Sequence, residues 1–146
     1  DPTRARVVAR REIERLRALI NADDRTAPTL SAALDELVRR RVSTVGPVVV
    51  TADLEGVPDE VTGPVTSAVD AVLGVLGRRN PFRPCVVRAV GRDGHLTVTV
   101  RQQGGDVVDQ GEVLAEAEPV VATLGGRTTV WSAEGRGVRV TLEVDW

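Results

Sequence analysis

Leu124-Gly125-Gly126-Arg127-Thr128-Thr129-Val130-Trp131-Ser132-Ala133-Glu134-Gly135-Arg136-Gly137-Val138-Arg139-Val140-Thr141-Leu142 is the stretch on which the fold turns. Residues 128–132 and 138–144 are rich in β-branched side chains, and Glu134-Gly135-Arg136-Gly137 between them is a turn signal, so a closing hairpin is predicted. Gly125-Gly126 sits where a helix over 112–124 would stop, in spite of Pro119, because glycine is the favoured residue just past a helix C-terminus.

Upstream, residues 85–90 and 96–100 read as two strands joined by Gly91-Arg92-Asp93-Gly94, whose Asp-Gly is a strong hairpin signal. Gly104-Gly105-Asp106 then opens a loop. Val61, Val65, Ala68, Val69, Val72 and Leu76 recur at helical spacing, with Gly63-Pro64 near the start and an end expected at 78–80. Residues 47–54 read as a strand, and Leu30, Ala33, Leu34, Leu37 and Val38 mark a helix ending near Arg41, with arginines suited to the negative end of its dipole. At the N-terminus, Val8, Ile13, Leu16, Leu19 and Ile20 lie among Arg and Glu on one face of an amphipathic helix, followed by a loop over 21–28. This order predicts an α/β fold: a two-layer sandwich of a mixed, mostly antiparallel sheet covered by helices, preceded by the amphipathic helix.

At 146 residues one domain is expected, and 42% hydrophobic residues, 27% charge and a net charge of −2 exclude a disordered tail and a basic nucleic-acid binder. All 19 basic residues are arginine, a coding bias that fits a GC-rich bacterial genome. No apolar run approaches the roughly 20 residues needed to span a bilayer, so no direct membrane contact is expected. The lone Cys85 lies in an apolar run and reads as a buried thiol, which points to a cytoplasmic protein. Asp1-Pro2 without Met reads as the start of a segment cut from a longer protein.

The quoted stretch resembles the "LGG, strand, S-x-x-G-x-G-T, strand" close of the GHKL superfamily, the Bergerat fold shared by histidine kinases, gyrase-type ATPases and Hsp90. Residues 34–41, 48–53 and 65–76 resemble the lead-in of the ATP-binding catalytic domain in bacterial sensor histidine kinases. Residues 12–20 resemble the tail of the dimerisation and phosphoacceptor helix that precedes it. The resemblance implies a boundary between residues 1–27 and a histidine-kinase-like ATPase domain over 28–146, a role in two-component signal transduction, ATP and magnesium as cofactors, homodimerisation through the N-terminal helix, and a response regulator or other signalling protein as partner.

The family's N box carries Glu and, four residues later on the same helix face, Asn; the first acts on the nucleophile and the second binds Mg²⁺. The matching positions are Asp70 and Gly74. Asp70 keeps a carboxylate on a shorter arm and is the catalytic candidate, though it also reads as a solvated polar position, whereas Gly74 brings no oxygen to a metal. The D-x-G-x-G motif, whose Asp accepts the adenine amino group, falls on Gln102-Gln103-Gly104-Gly105-Asp106, where only Gly104 matches. Gln102 offers a neutral carbonyl, and loss of a charge-assisted hydrogen bond costs about 1.5–3 kcal/mol; it also reads as a strand-end polar residue. Gly135, Gly137 and Val138 fall on the closing motif, Val138 replacing the threonine that supports the aspartate. Residues 105–111 form a short lid without the second glycine motif.

With one His and one Cys, no His-based metal cluster, zinc knuckle or His-based triad can be assembled, and no metal ligand is assigned. His95 reads as a surface turn residue and not as a phosphoacceptor. The expectation is a degenerate kinase domain, a pseudokinase with weak or no ATP binding and a regulatory or interaction role. The alternatives are an active histidine kinase domain and a switch or anti-sigma protein serine kinase.

Overall fold

The computed structural model describes residues 29–146, so the helix expected over 4–20, and with it any dimer contact through residues 1–27, lies outside the described residues. The elements are α1 (Leu30–Val45), β1 (Val48–Leu54), α2 (Asp59–Arg79), β2 (Cys85–Arg92), β3 (His95–Gln102), α3 (Gln110–Ala122), β4 (Arg127–Ala133) and β5 (Gly137–Asp145). Their order is the expected one.

Thr29 caps α1, its hydroxyl accepting from the Ala32 N–H at 3.1 Å. The helix runs four residues past the expected end at Arg41, through β-branched residues of low helix propensity. Burial overrides propensity there, because Val45 is completely inside the core. In α2, Asp59 and Glu60 occupy the first turn and Arg78 and Arg79 the last, both matched to the helix dipole. Asp109 caps α3, accepting from Gly111 N–H at 3.0 Å.

The sheet order is β1-β2-β3-β5-β4, with β1 parallel to β2 and every other pair antiparallel. Val87, Ala89, Val98, Val100, Val140 and Leu142 point inward and join the apolar faces of the three helices in one core. The alternate residues Val86, Arg88, Arg101 and Arg139 are exposed, so one face of the sheet lies open among the described residues. The result is the two-layer sandwich with a mixed, mostly antiparallel sheet. No described helix is long and apolar enough to cross a membrane.

Candidate functional site

The two glycine segments meet. Gln102 on β3 is the register partner of Val138 on β5, which brings the loop after β3 against the β4–β5 turn. Gly135 N–H donates to the Gly105 carbonyl at 3.1 Å. Gly137 has φ +117°, and a Cβ there would overlap the Gln102 carbonyl oxygen and stand 3.0 Å from Gln103 Cα. Only glycine allows these two backbones to pass so closely. Gln102, Gly104, Gly135, Gly137 and Val138 are thus brought together; the Asp106 side chain is exposed, and only its backbone is held.

What holds it is Asn80, the residue that ends α2. Its amide donates to the Asp106 carbonyl at 3.1 Å and accepts from the Asp106 N–H at 3.0 Å, so one side chain satisfies both backbone groups of a loop residue. Gly105 has φ +85° and lies under this amide, where a Cβ would come within 2.8 Å of it. The loop is therefore fastened to the end of α2.

Gln102 closes β3, the strand-end position read for it, and it is buried there. It is 1% exposed, and its amide nitrogen donates to the Asn80 carbonyl at 3.2 Å and to Cys85 Sγ at 3.6 Å. Its carbonyl oxygen is buried without a hydrogen-bond donor among the described residues. Burial pushes the Cys85 thiol up to about 11 in spite of the Gln102 contact, which acts in the opposite direction. The thiol is buried, as its sequence context suggests.

Asp70 and Gly74 lie one turn apart on α2, Asp70 half-buried and Gly74 buried, and what faces them is Arg41 of α1. Arg41 Nε donates to Asp70 Oδ1 at 2.7 Å. Arg41 Nη2 stands 3.4 Å, and Arg78 Nη1 3.7 Å, from where a Cβ on Gly74 would be. Farther along the same stripe, Arg78 pairs with Glu116 and Glu112 of α3, and Arg79 with Glu112. The Arg79 hydrogen bond is the first cause of a lowered Glu112 pKa. Asp70 and Gly74 share a face with each other, while the glycine corner lies at the far end of α2, reached through Asn80.

Sequence reasoning missed Arg41 and Asn80. Arg41 was readable only as a cation at a helix end and Asn80 only as a helix terminus, since their partners lie 29 and 26 residues away. His95 opens β3 rather than sitting in the turn, and its ring meets the Asp145 carboxylate on β5.

No protein-family model matches the sequence, and no curated protein matches it either. Solved structures do. A blue-light activated histidine kinase of Erythrobacter litoralis EL346 superposes with a TM-score of 0.67 at 23% identity, over 93% of this chain and 53% of that one. The histidine kinase domain from the same protein gives 0.62 at 19% identity, over 88% and 68%. Acinetobacter baumannii histidine kinase AdeS gives 0.59 at 13% identity, over 91% and 76%. The chain spans about half of the first and 30% of full-length ShkA. With five mixed strands under three helices among the described residues, closed by a glycine-dependent hairpin, the chain has the fold of these histidine kinase domains.

Proposed function

We propose that this chain is a histidine-kinase-like ATPase domain of a two-component sensor protein that binds Mg-ATP weakly or not at all, and that it acts as a regulatory or interaction module. The observation that carries this reading is the Arg41 guanidinium, paired to Asp70 and lying against Gly74. A magnesium ion held at this helix face would need oxygens where the chain has a fixed positive charge and a glycine. Repulsion between that guanidinium and a divalent cation, with Asp70 already neutralised, disfavours the metal twice.

The adenine side supports the same reading. An acceptor at position 102 would have to meet the base, yet Gln102 is buried and anchored to Asn80 and Cys85. The loop beside it is fastened by Asn80, and α3 is tied to α2 by the Arg78 and Arg79 ion pairs, which bring the flanks of the expected pocket together. The residues present do not fit Mg-ATP, so no phosphoryl-transfer step is assigned to them.

Calorimetric titration of the 146-residue chain with ATP, with and without Mg²⁺, tests this. The expected result is no measurable heat, or millimolar affinity unchanged by Mg²⁺. Magnesium-dependent binding at low micromolar concentration would establish the competing reading, an active kinase domain.

A further inference from the structure

The strand register lines up the open face of the sheet in rows. One row reads Val49, Val86, Arg101, Arg139, Trp131 from β1 to β4. Arg101 and Arg139 are therefore directly opposite each other on antiparallel strands, their Cβ atoms about 5 Å apart, an arrangement in which like charges destabilise the sheet. Arg88 lies one row away on β2, and Arg83 joins Val86 and Arg101 around a cleft of about 430 Å³.

Elsewhere Arg39, Arg41, Arg78, Arg79, Arg92 and Arg127 each meet a carboxylate, and of the described arginines off this face only Arg40 and Arg136 do not. Arg83, Arg88, Arg101 and Arg139 meet none among the described residues. Arg139 instead stacks over the ring of Trp131, 5.4 Å from its centroid, which orients the guanidinium. Beside these cations the row exposes apolar surface, with Val49 58%, Val86 43% and Trp131 43% exposed.

We infer that this open face is a docking surface for an acidic segment of a partner protein, with Arg101 and Arg139 taking its carboxylates and Val49, Val86 and Trp131 its apolar side chains. Charge complementarity selects the occupant. The chain as a whole carries −2, so the positive row is a local exception and not part of a basic surface. In the rows beyond it Asp53 and Glu143 are already matched by Arg92 and Arg127, so the uncompensated positive charge is confined to a short patch that suits a peptide lying along the row better than the continuous phosphates of a nucleic acid. Interleaved carboxylates and apolar side chains match both kinds of surface. This inference stands apart from the nucleotide question, since no residue of the row belongs to the expected ATP site.

The probe is an alternating Glu-Val decapeptide titrated into the full chain carrying Trp146→Phe, so that Trp131 alone reports. Its fluorescence is expected to change on binding, with an affinity that weakens as salt is added. Arg101→Glu should weaken binding at least tenfold while raising the melting midpoint by a few degrees, because an opposite-charge pair with Arg139 replaces a like-charge pair. Opposite movement of binding and stability separates a lost contact from a damaged fold. Arg139→Gln, which adds no new pair, should also weaken binding. The inference is overturned if the peptide does not bind, if either variant binds it unchanged, if an oligothymidylate of equal charge binds more tightly, or if Arg101→Glu changes the sedimentation mass, which would make the face a contact between copies.

Discussion

The glycine corner and the outer stripe of α2 make opposite demands on sequence. At the corner, backbone approaches backbone: Gly137 lies against the Gln102 carbonyl, and Asn80 takes both backbone groups of Asp106. On the stripe, Asp70 and Arg41 meet through side chains 37% and 30% exposed, the guanidinium lying over Gly74. Contacts of the first kind tolerate almost no change because the obstructing atoms cannot move. Those of the second are screened and adjustable, so a binding residue can be exchanged there at little cost to the fold. The glycines of the corner stand where the backbone requires them, whereas the side chains of the stripe stand where replacement is cheap.

The sharpest way to break this contrast is Gly137→Ala. The added Cβ would require a positive φ and overlap the Gln102 carbonyl at once, so β5 must shift against the loop. A loss of about 3 kcal/mol is expected in urea denaturation, combining backbone strain with overpacking. A loss below about 1 kcal/mol would show that the corner yields, and the contrast would fail.

Gln102→Glu comes next, with an expected loss of about 2 kcal/mol at pH 7, because a carboxylate would be buried facing the Asn80 carbonyl. Burial raises the folded pKa of such a group above its unfolded value of about 4.3. The variant should therefore approach the parent in stability below that pH and fall away as pH rises through the folded value. Denaturation midpoints at pH 4 and pH 7 that differ from the parent's by equal amounts would show that position 102 is wetter than it looks. The same burial bears on Gln102→Asp, which fits the volume but also buries a charge.

These two positions also show where sequence reading stopped. The closing hairpin, the three described helices and the β2–β3 hairpin were legible because their signals are local: alternating β-branched residues, apolar residues at helical spacing, and glycines at turns. The helix ends at Val45 and Ala122 were less so, since burial and capping decide them. The glycines of the site were legible through the resemblance, but the environment of Gln102 was not, because Asn80 and Cys85 reach it from 22 and 17 residues away. The row of the open face was hidden for a related reason. Each strand's alternation is readable, but placing Arg101 opposite Arg139 requires knowing that β5 inserts between β3 and β4.

A smaller effect separates the buried thiol from both regions. The Cys85 pKa lies at about 11, raised by desolvation from 9.0, so the folded state holds its proton longer than the unfolded one. Its contribution to stability is complete below pH 9 and is lost as pH rises toward 11. Cys85→Ser, a hydroxyl that does not titrate in this range, should flatten part of the alkaline decline in melting temperature. Labelling of the native thiol by a disulfide reagent at pH 8 should follow global unfolding; fast labelling of the folded chain would contradict its burial.

The smallest expected change in stability is at the stripe. Arg41→Ala removes an ion pair whose members are both about one-third exposed, and such pairs contribute about 0–1 kcal/mol, so the melting temperature should move by a few degrees at most. Its effect on ligand binding is a different matter, because it takes a fixed cation away from Asp70 and from the space beside Gly74. Combined with Gly74→Asn, whose Cβ would otherwise meet Arg41 at an ordinary contact distance of 3.4 Å, it offers a carboxylate and an amide oxygen on one helix face. The double variant should gain a magnesium-dependent rise in melting temperature that the parent lacks, and should gain it without ATP, since only the metal side has been rebuilt. If Gly74→Asn alone gives the same rise with Arg41 in place, the guanidinium does not exclude the metal, and the glycine is the whole of the lesion on this side of the site.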